Sequence, residues 1–319
     1  GLMVPLCTYI ILAVSLNLVV GILGELSLGH AGFMCVGAFT SAFFSKCTRD
    51  VIASDGLRFF LALLIGIVTA AIFGMLIGIP VLRLKGDYLA IVTLAFGEII
   101  KNMVNVLYIG KDSKGFHVTT KDVMALNMDA DGTVILNGPQ GITGTPKNST
   151  FVIGFILILL TLFIVQNLIN SRDGRAIMAI RDNRIAAESI GINITKYKLM
   201  AFTISAAMAG AAGVLYAHNI STLTANTNNF GYNMSITILV FVVLGGIGNI
   251  RGSIIAAVIL TLLPELLRGM KDYRMLIYAI VLIVMMLFNW SPKAIEWREK
   301  LNDWRKKHFS FGKKAKEVE

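Results

Sequence analysis

The chain has 319 residues, of which 55% are apolar, 30 are glycine and only 15% are Asp, Glu, Lys or Arg, against about a quarter charged in soluble domains. With a mean hydropathy of +0.73 there are too few polar side chains to cover a soluble surface, and the composition also excludes disorder, a collagen-like repeat and a secreted disulfide scaffold. The net charge of +10 would suggest nucleic acid in a soluble protein; in a chain of apolar runs it follows from the basic bias of cytoplasmic loops, so the lipid bilayer and no nucleic acid is the expected surrounding.

A spanning helix needs about 20 mostly apolar residues. In chain order, the segments that meet or approach this are 2–24, 26–45, 59–82, 88–108, 151–169, 199–217, 234–247, 252–267 and 275–290. The fold class expected is therefore an all-α polytopic membrane protein of about nine hydrophobic segments, two or three of them short or broken. Residues 1–290 are expected to form a transmembrane domain and 291–319 a basic tail. The intervening connections 24–29, 83–87, 170–198, 248–251 and the tail hold 18 Lys and Arg, while 46–58, 110–150, 218–233 and 268–274 hold ten. The first set is expected in the cytoplasm and the second outside. That places Gly1 outside. Either a further span precedes it or a short N-terminus is translocated. Segment 110–150 is polar, too long for a simple connection, and reads as an external cap or docking surface.

Cys7, Cys35 and Cys47 are odd in number, show no CxxC or Cys/His spacing, and predict neither a disulfide framework nor a metal site. Two Gly-rich elbows echo each other. LVVGILGELSLG (18–29) and FVVLGGIGNIRG (241–252) each follow an apolar run and precede a small-residue run, a pattern that suggests an internal parallel repeat with broken helices near a substrate path. Ser27, Gly29 and His30 in the first elbow and Gly245, Gly246 and Gly248 in the second are candidates for an inner gate. His30 could bond backbone freed by a helix break, and Asn17 reads as interhelical glue.

An ionisable group inside a span costs about 2.5–3.5 kcal/mol on insertion scales. Glu98 lies mid-span, with Lys101 and Asn102 three and four residues on and hence on its face. Either the strip borders a translocation path, for which Thr93 is a further candidate, or Glu98 and Lys101 form a neutral structural pair.

The connection 170–198 carries the strongest signal. Asp173 is placed to cap a helix starting near Gly174, with Ile177 and Ile180 on its buried face. Asp182 or Asn183 is placed to cap a second helix containing Ile185, Ala186, Ala187 and Glu188. Gly191 is placed to end it in the left-handed conformation. Such a mixed-charge helix–turn–helix between two spans suits a mechanical coupling element.

At these residues a family resemblance becomes specific. The run RIAAESIG (184–191) resembles the EAA-type loop of ABC importer permeases. GELSLGHAGF (24–33), KGDYLAIVTLAFGEI (85–99), GPQGITG (138–144), YKLMAFTISAAMAGAAGVLYA (197–217) and VLGGIGNIRGSIIAA (243–257) together resemble the M-type membrane subunit of leucine/isoleucine/valine ABC importers. Two departures stand out: Ile185 holds the first position of the usual triplet in place of Glu, and INIT (192–195) follows the glycine with no Pro. The resemblance implies a permease of the bacterial cytoplasmic (inner) membrane working by alternating access. It implies a homologous H-type permease partner, two ATPase subunits holding ATP and Mg, and an external substrate-binding protein. It assigns ATPase coupling to Arg175, Arg181, Asp182, Asn183, Arg184, Ala186, Ala187, Glu188, Ser189 and Gly191. No GxxxxGK[ST] occurs, so the chain itself has no P-loop and no cofactor of its own is expected. Permeases for urea, short amides or other amino acids share several of these stretches. An ion-coupled carrier using Glu98 and His30 is a further alternative, and no nucleophile–base pair or HExxH supports a membrane enzyme.

Overall fold

The computed structural model describes residues 2–49, 51–82, 88–112, 115–128, 132–267, 276–277 and 279–284. α1 (Met3–Asn17) continues through a π-helical turn, Leu18–Leu23, and ends at Gly24 with φ of +79°. α2 (His30–Cys47), α3 (Asp55–Val81) and α4 (Tyr88–Val106) follow. Next come β1 (Tyr108–Asp112), β2 (Gly115–Thr119), β3 (Thr133–Asn137) and β4 (Ile142–Thr143). After them lie α5 (Phe151–Asn170), α6 (Arg172–Asp182), α7 (Arg184–Ser189) and α8 (Ile194–Ala217). β5 (Thr222–Leu223), α9 (Thr227–Phe230), α10 (Tyr232–Gly245) and α11 (Ile250–Leu266) complete the sequence of described elements.

Among the described residues six helical runs are long and apolar enough to cross a bilayer: Met3–Leu23, Asp55–Val81, Tyr88–Val106, Phe151–Asn170, Ile194–Ala217 and Thr227–Gly245. α2 and α11 coincide with expected segments 26–45 and 252–267. Half of the expected segment 275–290 lies outside the described residues, and the connections 83–87 and 268–274 and the tail 291–319 lie wholly outside them. The chain divides into two compact units, Gly1–Thr261 and Leu262–Glu319; the side chains discussed below belong to the first.

Burial separates central from peripheral helices. α1 is buried along nearly its whole length, as is most of α8, in keeping with helices that are apolar all round. Apart from Arg58 near the start of α3, α3 and α5 bury a stripe of mostly small and apolar residues and expose Phe60, Leu64, Val68 and Ile72, and Phe155, Leu159 and Phe163. The centre forms because α2 and α8 present glycines to each other. A side chain on Gly37 would run into the Gly210 backbone, and one on Gly213 into the Met34 carbonyl; such small-residue contacts let helix backbones approach where lipid gives no hydrophobic drive. Phe33 of α2 meets Phe202 of α8 edge-on at 5.5 Å. Polar pins reinforce the packing. Ser205 Oγ donates to the Ser15 carbonyl at 2.5 Å. At the far end Ser45 Oγ meets His218 Nε2 at 2.8 Å. Burial chiefly holds His218, just past the end of α8, below the usual imidazole range. The Arg58 charge adds to this, against a hydrogen bond to Val214 that works the other way.

Segment 110–150 departs from the purely helical expectation. β1 pairs antiparallel with β2 and with β3, in the order β2-β1-β3, with a register shift between Ile109 and Gly110. β4 pairs with β5 across 80 residues of sequence (Ile142 with Leu223, Thr143 with Thr222). The sheet is tied down by Lys46, whose ammonium donates to the carbonyls of Val134 at 2.9 Å and Ile135 at 3.3 Å.

Candidate functional site

The site begins with the caps of the α6–α7 loop. Ser171, in extended conformation, accepts from Gly174 N at 3.0 Å and starts α6 at Arg172. This corrects the expectation for Asp173, which lies inside the first turn, where its charge still favours the helix N-terminus. Asn183 Oδ1 accepts from Ala186 N at 3.0 Å and starts α7. Gly191 has φ of +85°, donates to the Glu188 carbonyl at 3.0 Å, and lets Ile192 N reach the Ala187 carbonyl at 3.1 Å, a helix stop that favours glycine. Asn193 Oδ1 then caps α8 through Lys196 N at 3.1 Å. Ile180, Ala187 and Ile194 form one buried cluster with Ile192 and Tyr197 against it. The turn is thus a rigid body.

Of the expected coupling residues, Arg175, Arg181, Asp182, Asn183, Arg184, Ala186, Glu188, Ser189 and Gly191 are exposed and Ala187 is buried. Two residues outside that set dominate the surface: Ile185 is 81% exposed and Ile190 74%. Their signal in the sequence is positional, since both lie off the face that buries Ala187.

The two elbows come together beside this loop. Asn17 Oδ1 accepts from Gly248 N at 2.9 Å and Asn17 Nδ2 donates to Ser253 Oγ at 2.8 Å, the interhelical tie expected of it. Gly246 and Gly248 have φ of +94° and +82°, and Gly245 packs directly on the backbone of Ser253. In the first elbow Gly29 abuts the Thr93 carbonyl, and Leu28 N donates to Thr93 Oγ1 at 3.1 Å. Ser27 is buried. His30 is buried too, with Nε2 2.7 Å from Ser15 Oγ. Its partner is therefore a hydroxyl of α1, not freed backbone; the amides of Leu28 and Ala31 go instead to Thr93 Oγ1 and Ser235 Oγ. Arg181 Nη1 donates to the Gly21 carbonyl at 3.0 Å, and Lys198 forms an ion pair with Glu25.

A third polar group lies on α4. Glu98 Oε2 is 2.5 Å from Lys101 Nζ, which also donates to Thr227 Oγ1 at 3.2 Å. Glu98 Oε1 accepts from Tyr232 N at 2.8 Å, so the carboxylate caps α10. The neutral pair was legible from the i,i+3 spacing; the cap, which joins residues 134 apart in sequence, was not. Among the described residues no group of three or more His, Cys, Asp or Glu gathers to hold a metal.

The family model for the permease component of branched-chain amino acid transport systems matches residues 1–288. The chain belongs to this family. It is a multi-pass membrane permease, a transporter subunit rather than an enzyme. The high-affinity branched-chain amino acid permease protein LivM of Salmonella typhimurium is 37% identical over 322 residues, covering 90% of this chain and 67% of that protein. Its Escherichia coli K12 counterpart is 34% identical over 321 residues, with the same coverage. The permease protein LivH of Escherichia coli K12 is 25% identical over 258 residues, 79% of each chain. No solved structure matches the permease significantly.

Proposed function

We propose that this permease carries leucine, isoleucine and valine through the bacterial cytoplasmic membrane. It is one half of a heterodimer with an H-type homologue, fed by an external binding protein and driven by two ATPases on the cytoplasmic side. The observation that carries this reading is the exposed pair Ile185 and Ile190 on a capped, internally packed loop. Apolar side chains on a rigid polar loop are the mark of a docking surface. The likeness to LivM names the substrate class, and the likeness to LivH supports a homologous partner. With the loop and the tail in the cytoplasm, an ATPase that prefers one permease conformation in each nucleotide state drives alternating access.

The substrate path is assigned to the face of α4, α9 and α10. There Asn102, Asn228 and Asn233 are exposed beside Glu98, and Asn233 Nδ2 donates to Asn228 Oδ1 at 2.9 Å. The exposed residues of α3 from Phe60 to Ile79 and of α5 up to Ile164 are apolar. Exposed amides within a span face a partner or water and not lipid. Ser27, Gly29, His30, Thr93, Gly245, Gly246 and Gly248 form the closed inner end of that path.

Vesicles reconstituted with both permeases, the ATPases and the binding protein test the reading. Leucine uptake is expected to require ATP and to survive collapse of the proton and sodium gradients. Uptake that follows an ion gradient and ignores ATP would overturn it.

A further inference from the structure

The last turn of α1 is π-helical and the chain turns away at Gly24. The Gly21 carbonyl falls among the final carbonyls that a helix cannot satisfy from within. Its donor is Arg181, from the last turn of α6, at 3.0 Å. The arginine stem also fills the space beside Gly24, where any side chain would strike its Cγ. Four residues past Gly21, Glu25 pairs with Lys198 near the start of α8. The lysine side chain is 5% exposed and the glutamate 16%. The α6–α7 junction and the first turns of α8 that follow the loop therefore grip the same five-residue stretch, 21–25. Gly21 in turn abuts Gly248 of the second elbow, whose amide donates to Asn17 one turn earlier in the same helix.

We propose that Arg181 and the Glu25–Lys198 pair are the positioning contacts that carry movement of the α6–α7 loop to both Gly-rich elbows. This rests on the reading of that loop as the ATPase dock. Other routes from the loop are poorer. α7 touches the remainder through Ala187 and its cluster, which fixes the loop to α8 but not to the elbows. The guanidinium bond is charge-assisted and directional. Losing one partner of the Glu25–Lys198 pair leaves the other charge largely out of water and unpaired.

The test uses the whole transporter in vesicles, reading leucine taken up per ATP hydrolysed. Arg181→Ala and Glu25→Gln should each lower that ratio about tenfold, within the span typical of coupling energies, with the complex recovered in normal yield. Arg181→Lys should retain most of the ratio. The exchange Glu25→Lys with Lys198→Glu should recover what Glu25→Gln loses, which a purely packing role does not predict. Normal wild-type uptake with an unchanged ratio in Arg181→Ala and Glu25→Gln overturns this proposal alone, and so does an exchange variant that assembles without recovery. Wild-type vesicles without ATP-driven uptake overturn the import reading, and this proposal with it.

Discussion

Replacing Gly191 by valine is expected to lower ATP-driven leucine uptake about tenfold or more while the permease still assembles with its partners. The backbone is the cause. Gly191 sits at φ of +85° with nothing within 4 Å of where a Cβ would lie, so no clash arises. A β-branched residue in the left-handed region costs about 1–3 kcal/mol, enough to undo the stop that joins Ile192 N to the Ala187 carbonyl. The α7 cluster then loses its fixed attachment to α8, and the loop yields where it should push. Gly191→Asn, which tolerates that conformation, should keep most of the uptake. Transport by Gly191→Val at the wild-type rate would remove the mechanical role of the loop.

Glu98→Leu is expected to destabilise the purified complex by about 1–3 kcal/mol, the cost of leaving a buried polar partner unsatisfied, since Lys101 is buried while the Glu98 side chain is 26% exposed. Lys101 is 7% exposed. It would keep only the Thr227 hydroxyl, while the amide of Tyr232 at the start of α10 would lose its acceptor. Adding Lys101→Leu should recover much of the loss, because an apolar pair leaves no stranded charge. Thermal denaturation of single and double variants measures this. Equal midpoints for the two would show that the pair contributes little beyond its packing.

Much of the helical order was legible because bilayer thickness imposes one length on every span. Hydropathy therefore placed the runs that became α1, α3, α4, α5 and α8; the stop at Gly191 followed from residue chemistry, which narrowed the α7 cap to Asp182 or Asn183, and the structure selects Asn183. Long-range pairing was not legible. The strands of segment 110–150 are two to five residues long, and β4 finds its partner beyond four intervening helices, so no local periodicity announces it. Asp173 was the obvious acidic cap, yet Ser171 starts the helix because its extended backbone puts the hydroxyl on Gly174 N. Glu98 and Lys101 were visible as a pair, but the half-helix they serve depends on a turn at Gly231. There Glu98 Oε1 lies so close that a Cβ would sit 2.9 Å from it. The ties Arg181–Gly21 and Lys198–Glu25 join a loop to an elbow more than 150 residues away, a distance that one sequence alone does not bridge.

Ile185→Cys offers the most direct test of the account. In sealed vesicles of known orientation, a membrane-impermeant thiol reagent should label this cysteine only from the cytoplasmic face. In the assembled transporter a short crosslinker should join it to the ATP-hydrolysing partner. Labelling from the external face, or no crosslink to any nucleotide-binding subunit in the active complex, would contradict it.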